Sequence, residues 1–100
     1  MDIEDIESLI EEATVDCYDE EECRIGFLTV LQENIPTPFK ATLDGNTITV
    51  NKIDGDDRAI KVFIQNGKVV YPVDILDLIV EQNVSGYQWI AAYRKWETGK

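Results

Sequence analysis

The segment "NIPTPFKATLDGN", residues 34–46, divides the chain into a helical part and a β part. Proline lacks a backbone donor and restricts the residue before it, so Pro36 and Pro38 end any helix that precedes them. After Pro38 apolar residues alternate with polar ones, beginning with Phe39 and Ala41. The hydrophobic period therefore changes here from about 3.6 residues to about 2, which predicts helices before the segment and strands after it.

Two amphipathic helices are predicted before Pro36. The first covers residues 2–13, where apolar residues recur every three or four positions and acids fill the opposite face. The second begins near Asp19, because acids suit the positive end of a helix dipole, and it ends at Asn34. Its apolar side consists of Cys23, Phe27, Val30 and Leu31.

Four antiparallel strands are predicted after Pro38. The sequences "DGN" at 44–46 and "NG" at 66–67 have the chemistry of tight hairpin turns, and "DGDD" at 54–57 makes the turn between them. Apolar and polar residues alternate in the segments that these turns separate. The pattern predicts a meander in which each strand pairs with the next.

The segment "PVDILDLIVE", residues 72–81, has two interpretations. A strand would place Asp74 and Asp77 on opposite faces, whereas a helix would gather Asp74, Asp77 and Glu81 on one face. The strand is the preferred interpretation.

A last helix is predicted after Ser85, which is expected to cap it. Its apolar residues recur at helical spacing and are interpreted as core: Trp89, Ile90, Tyr93 and Trp96. Helices at both ends of an antiparallel meander predict an α+β fold, formed as a single domain by residues 1–100. The sheet is expected to have four or five strands and could curl into a small barrel.

The acidic residues are concentrated at the N-terminus. Of the 20 acidic residues, 11 precede Arg24, the first base, and the remaining nine are matched by nine bases, so the net charge of −11 lies in residues 1–22. Such a field repels nucleic acids and anionic membranes and attracts cations or basic partners. We therefore expect no nucleic-acid or membrane binding. Because no signal peptide or long apolar run is present, we also expect a cytoplasmic protein.

Histidine is absent from the chain. Its absence excludes Ser-His and Cys-His nucleophile pairs and imidazole metal ligation. The spacing of Cys17 and Cys23 fits neither a metal knuckle nor a Cys-x-x-Cys motif, so both are interpreted as packing residues. We predict that the protein is not an enzyme.

Oxygen ligands, in contrast, are abundant, and Ca²⁺ prefers about six to eight of them. One cluster of acids lies where the first two predicted helices meet: Asp16, Asp19, Glu20, Glu21 and Glu22. A second cluster is the turn formed by Asp54, Asp56 and Asp57. Asp74 or Asp77 would complete the second cluster if the fold brings those strands together. Both clusters are therefore candidate calcium sites.

Each cluster also has a purely structural interpretation. Acids at a helix start commonly cap the helix, and an Asp-Gly-Asp-Asp sequence is commonly only a turn. An EF-hand is excluded, because counting from Asp54 places Arg58 at the fifth position and Ala59 at the sixth, where glycine is required.

Five segments, in order, resemble the small acidic cyanobacterial calcium-binding proteins of the CcbP family: "VDCYDEEEC", "PTPFKA", "TITVNKID", "YPVDILDL" and "WIAAYRKW". The resemblance runs from about Val15 to Trp96. It implies a calcium-binding protein that is not of EF-hand type and that sequesters free Ca²⁺ in the cytosol. It also implies a part in the calcium signal that accompanies heterocyst differentiation. The resemblance carries over no ligand list, so the site residues above rest on charge and turn chemistry.

Two functional hypotheses therefore stay open. The first is a calcium buffer or sensor whose ligand is Ca²⁺. The alternative is an acidic interaction module that docks a basic protein or imitates nucleic acid, and it rests on the same concentration of negative charge. We expect a monomer in both cases.

Overall fold

The computed structural model describes residues 3–99 and confirms the predicted α+β fold. Its elements, in chain order, are α1 (Ile3–Ala13), α2 (Glu20–Asn34), β1 (Phe39–Leu43), β2 (Asn46–Gly55), β3 (Ile60–Asn66), β4 (Val69–Asp74), a 3-10 turn (Ile75–Asp77) and α3 (Tyr87–Thr98). The four strands form an antiparallel sheet in the order β1-β2-β3-β4. The predicted start of α1 at Asp2 lies outside the described residues.

The first two helices begin and end close to the predicted positions. The side chain of Asp19 accepts a hydrogen bond from the backbone N–H of Glu22 and so caps α2. The helix ends at Asn34, immediately before Ile35 and the first proline. Between α1 and α2, Asp16 has a left-handed backbone with φ of 60°. This residue turns the chain from one helix to the next.

The hairpins form at the predicted turns. Asp44 and Gly45 have φ angles of 51° and 82°, the pair of positive values that a two-residue hairpin turn of the primed type requires. The 44–46 turn joins β1 to β2, the 54–57 turn begins at the end of β2, and Gly67 lies between β3 and β4. The prediction of four strands in a meander is confirmed.

The sheet curls strongly but does not close into a barrel. Thr42 in β1 and Ile79 exchange two backbone hydrogen bonds of 2.9 Å, although Ile79 follows β4 by only a few residues. In a flat sheet, the far side of β1 would lie about 19 Å from β4, at about 4.8 Å per strand. The segment from Asp74 to Ile79, which includes the 3-10 turn, can span only about 13 Å. The two edges of the sheet therefore approach each other.

The prediction of a strand over residues 72–81 is wrong beyond Asp74. The side chain of Asp74 accepts a hydrogen bond from the N–H of Leu76 and starts the 3-10 turn. Ile75 and Leu78 are both buried. A spacing of three residues places them on one side of a 3-10 turn, whereas a strand would point them to opposite faces.

The prediction that Ser85 caps the last helix is also wrong. Gly86 is the N-cap residue of α3 and has a left-handed φ of 84°. A Cβ atom at Gly86 would collide with the carbonyl oxygen of Asn34 and the side chain of Ile35. The start of α3 packs so closely on the end of α2 that only glycine fits there.

The core lies between one face of the curled sheet and helices α2 and α3. The strands contribute fully buried aliphatic side chains, including Val50, Ile60, Val62 and Ile64. From the helices, the ring of Phe27 contacts those of Tyr93 and Trp96, with centroids 5.4 and 5.3 Å apart. The prediction that the aromatic stripe of the last helix is core is confirmed.

Gly26 allows α1 and α2 to approach each other. A Cβ atom at this position would overlap the carbonyl oxygen of Ala13 at the end of α1 and would lie 3.5 Å from the sulfur of Cys17. Ala13 itself is buried in the core. Because Gly26 has no side chain, the end of α1 and the helix junction can pack directly on α2.

Gly26→Ala should lower the free energy of unfolding by about 1–3 kcal/mol, measured by urea denaturation, because the new methyl group overpacks the helix contact. In an exposed helix the same change would raise stability by about 0.5–1 kcal/mol. Thr29→Ala, at an exposed position of α2, is the control and should change stability by less than about 0.5 kcal/mol. A stabilised Gly26→Ala protein would show that the helices do not need this close approach.

Candidate metal site

Acids from the two predicted clusters meet at one depression beside the start of α2. The depression has a volume of about 540 Å³ and is lined by Cys17, Asp19, Glu21, Glu22, Ile25, Gly26 and Asp57. We call it the junction depression. Three of its four carboxylates come from the helix junction and the fourth from the turn between β2 and β3. This convergence joins residues that are far apart in the sequence.

The start of α2 orders two of these carboxylates. Oδ1 of Asp19 accepts a hydrogen bond of 2.8 Å from the N–H of Glu22. Oε2 of Glu22 in turn accepts one of 3.1 Å from the N–H of Tyr18. The first bond satisfies a backbone donor that a helix start leaves without a partner, and the second ties the residue before the N-cap to the helix. The structural interpretation of these two acids is therefore confirmed, and one oxygen of each carboxylate is engaged.

The acids of the β2–β3 turn have different roles. Oδ1 of Asp56 accepts hydrogen bonds of 2.8 and 3.1 Å from the N–H groups of Arg58 and Ala59, which lower the pKa of Asp56. The hydrogen bond from Lys52, followed by that from the N–H of Gly55, lowers the pKa of Asp54. These two acids hold the turn closed, whereas Asp57 faces α2 across the junction depression.

Arg24 holds the turn against the helix. Its Nη1 donates a hydrogen bond of 2.7 Å to the backbone carbonyl of Asp57. Its Nε and Nη2 donate to the carboxylate of Glu97 in α3, at 3.0 Å and 2.8 Å. Arg24 also lies over the ring of Trp96, 5.4 Å from its centroid. One guanidinium therefore connects α2, α3 and the turn that carries Asp57.

Among residues 5–99, where the burial of every charged side chain is described, Arg24 is the one charged residue that is buried. Burial alone would lower its pKa, but hydrogen bonds with Glu97 and Tyr93 raise the pKa above its ordinary value. The Tyr93 hydroxyl donates a hydrogen bond of 3.2 Å to Glu97, and burial raises the pKa of Tyr93 to about 12.

The donor set of the junction depression suits a hard cation. The carboxylates of Glu21 and Asp57 form no hydrogen bond or ion pair with the rest of the described chain. With both of their oxygens, and one from each of Asp19 and Glu22, about six oxygens are available, which is the lower end of the calcium range. Among residues 5–99, however, no three acidic or thiol groups converge closely enough to hold an ion. Ion binding therefore requires these side chains to rotate inwards.

Other predicted site residues lie away from this depression. Asp16 is exposed, and Glu20 lies on the first turn of α2 without lining the depression. Asp74 is opposite Lys61, which is in turn opposite Asp54, so a cation there would meet an ammonium group. Asp77 lines a separate cavity of about 580 Å³, together with Arg94 and Lys95.

The fold thus divides the second predicted cluster. Asp57 joins the acids of the helix junction, while Asp74 and Asp77 do not join the turn. Sequence reasoning also missed Arg24. Its spacing from Phe27, Leu28 and Leu31 places it on the buried stripe of α2, and this periodicity was the signal that could have identified it.

The comparisons with known proteins agree with this fold. A family model for CcbP, described as calcium binding, matches residues 7–97. The crystal structure of Anabaena CcbP is 22% identical, with a TM-score of 0.77 over 99% of this chain and 94% of that chain. A calcium-binding protein in its calcium-binding form is 24% identical, with a TM-score of 0.79 over 96% and 91% of the two chains. At these identities the two structures show a shared fold.

The structure and one further comparison add two negative findings. No protein of curated function matches the chain. Among the helices of residues 3–99, none has the length and apolar character needed to cross a membrane.

Arg24→Met should lower the free energy of unfolding by about 3 kcal/mol, because it removes the guanidinium that pairs with the partly buried carboxylate of Glu97. The expected loss is at the lower end of the range for buried pairs, since the Glu97 side chain is 23% exposed. Adding Glu97→Gln should restore part of this loss. Urea denaturation of the four proteins of this double-mutant cycle measures the coupling free energy between Arg24 and Glu97. Losses that simply add would show that the two residues are not coupled.

The free energy of unfolding should fall as pH rises from about 10 to about 12. Tyr93 has an ordinary pKa of 10.0 that burial raises to about 12, so the unfolded chain loses this proton first. The contribution is constant below pH 10, and its slope is at most about 1.4 kcal/mol per pH unit. Tyr93→Phe should have a shallower slope in denaturation series on both sides of pH 10. An unchanged slope would show that other groups cause the alkaline loss.

Proposed function

The chain belongs to the CcbP family of calcium-binding proteins, and from this premise we propose that it binds Ca²⁺ in the junction depression. The observation that carries the proposal is the convergence of Asp57 with Asp19, Glu21 and Glu22 around one space. Four carboxylates there can supply the oxygen ligands that Ca²⁺ requires. The irregular geometry suits Ca²⁺ better than Mg²⁺, which demands a near-ideal octahedron.

We assign Glu21 and Asp57 as the principal ligands. Neither carboxylate is engaged elsewhere in the described chain, so binding an ion costs them no existing hydrogen bond. Asp19 and Glu22 contribute the oxygens that their capping bonds leave available. Asp54, Asp56 and Asp74 act instead through their backbone hydrogen bonds, which shape the turn and the sheet edge.

The acidic N-terminal segment adds a general attraction to these direct contacts. The whole net charge of −11 lies in residues 1–22, and α1 presents exposed acids such as Glu11 and Glu12. This field raises the local concentration of cations, but salt screens it over about 8 Å at physiological ionic strength. Direct ligands are screened less, so salt separates the two contributions.

We further propose that the protein buffers free Ca²⁺ in the cytoplasm as a monomer. A useful cytosolic affinity would lie between about 10⁻⁸ and 10⁻⁵ M. The resemblance to the cyanobacterial proteins supports a part in the calcium signal of heterocyst differentiation. The absence of histidine supports a binding protein over an enzyme.

A second candidate function is the docking of a basic protein on the acidic segment. It is favoured by two exposed apolar side chains among the acids, Tyr18 at 89% and Val15 at 66% exposure. Such residues would add apolar contact to electrostatic attraction. The two functions differ in their dependence on Ca²⁺.

Glu21→Gln combined with Asp57→Asn should weaken calcium binding by more than about tenfold, equal to about 1.4 kcal/mol. The change removes the two unengaged carboxylates while preserving side-chain size. Calorimetric titration with CaCl₂ at physiological salt measures the affinity and stoichiometry, and amide chemical shifts locate the ion.

The matched control is Glu11→Gln combined with Glu12→Gln, which removes two charges from exposed positions of α1 that do not line the junction depression. It should weaken binding slightly, and less at higher salt. Equal losses of calcium affinity in both variants would show that a diffuse acidic surface, and not the junction depression, binds the ion. Calcium heats no larger than those of magnesium, together with a basic partner retained in chelator, would favour the second function.

A further inference from the structure

Cys17 lines the junction depression, and Cys23 lies near it on α2 without lining the depression. The Cys17 sulfur lies 3.6 Å from the carbonyl oxygen of Glu22, the residue before Cys23. A Cβ atom at Gly26, one turn beyond Cys23 on the same face of α2, would lie 3.5 Å from that sulfur. Burial, followed by the nearby Cys17 thiol, raises the pKa of the Cys23 thiol. Both cysteines are free and half-buried.

The chain between the two cysteines permits a further approach. Cys17, Tyr18 and Asp19 precede the first helical residue, Glu20, whereas Cys23 is held in the first turns of α2. A disulfide needs a sulfur separation of about 2.05 Å and Cβ atoms about 3.8 Å apart. Asp19 is held by hydrogen bonds from the N–H groups of Glu22 and Cys23, but Cys17 and Tyr18 lie outside these bonds, so a change in their backbone angles can move Cys17 towards Cys23.

We propose that Cys17 and Cys23 form an intramolecular disulfide that weakens calcium binding in the junction depression. The oxidant is a low-molecular-weight disulfide, RSSR. The thiolate of one cysteine attacks RSSR and releases one RSH, and the sulfur of the second cysteine then displaces the other. The two protein thiols thereby lose two electrons and two protons, and RSSR is reduced to two RSH.

The effect on calcium rests on the proposed function and follows from what the new bond encloses. The ring closed by the disulfide contains Asp19, Glu21 and Glu22. Because no three acidic groups in the described chain converge closely enough to hold an ion, binding requires the carboxylates of this segment to turn towards Asp57. The disulfide draws residue 17 onto the helix and holds the segment there.

By thermodynamic linkage, calcium binding must in turn shift the equilibrium between the dithiol and the disulfide. If the reduced protein binds Ca²⁺ more tightly, then Ca²⁺ favours the dithiol over the disulfide by the same factor. A typical coupling corresponds to a change in affinity of about 5- to 150-fold. Each tenfold change raises the reduction potential of the pair by about 30 mV in the presence of saturating Ca²⁺.

The disulfide itself is tested without calcium. The full chain is equilibrated in buffers of reduced and oxidised glutathione, and its free thiols are then alkylated and counted by mass spectrometry. We expect a monomer in which both thiols disappear together and no glutathione is retained. Stable glutathione adducts or disulfide-linked dimers would overturn the proposal.

The coupling is tested by titrating reduced and oxidised protein with CaCl₂. We expect the oxidised protein to bind at least about fivefold more weakly. Equal or tighter binding would overturn the regulatory part. If the reduced protein bound no calcium, the proposed function and the coupling would both fail, whereas the thiol count would still decide whether the disulfide forms.

Cys23→Ser is the control, because Cys23 does not line the junction depression. After the same glutathione treatment, this variant should keep the calcium affinity of the reduced protein. An equal loss of affinity in the variant would assign the effect to an adduct on Cys17 and would overturn the role of the disulfide.

Discussion

The packing of α2, α3 and the β2–β3 turn depends on the contacts of one guanidinium, that of Arg24. It pairs with Glu97 of α3, donates to the carbonyl of Asp57 and lies over the ring of Trp96. A lysine could not replace it, since a single ammonium group cannot satisfy a carboxylate and a carbonyl in this forked geometry. Its hydrogen bond to the Asp57 carbonyl holds the turn that carries Asp57 beside the acidic start of α2.

The acids beside Arg24 fall into two groups that differ in their hydrogen bonding. Asp19 and Glu22 stabilise the start of α2 by accepting backbone hydrogen bonds, and this fixes one oxygen of each. The carboxylates of Glu21 and Asp57 accept no hydrogen bond in the described chain, so binding an ion would break none. In the proposed calcium site, two carboxylates are thus held by capping and two are not, so a change in the backbone at the helix junction would alter how the four converge. The neighbouring thiols of Cys17 and Cys23 provide a chemical means for such a change.

Sequence patterns predicted the elements well and their junctions less well. The hydrophobic period located both N-terminal helices, and the turn residues located the hairpins. The strand predicted beyond Asp74 failed because a side-chain cap and the burial of Ile75 and Leu78 favour a 3-10 turn. The cap at Ser85 failed because packing on Asn34 requires glycine at the next position. Both failures occur where local chemistry competes with long-range contacts.

The sequence by itself determined the class of the fold, the concentration of charge and the preference for oxygen ligands. These properties depend on local periodicity and composition, which tertiary contacts do not alter. Only the tertiary structure decided which acids share a space, since the buried fork of Arg24 brings Asp57 to Glu21 across 36 residues of chain while Asp74 and Asp77 lie elsewhere. Carboxylates far apart in sequence carry no pattern that relates them, and packing of the buried core sets their distance.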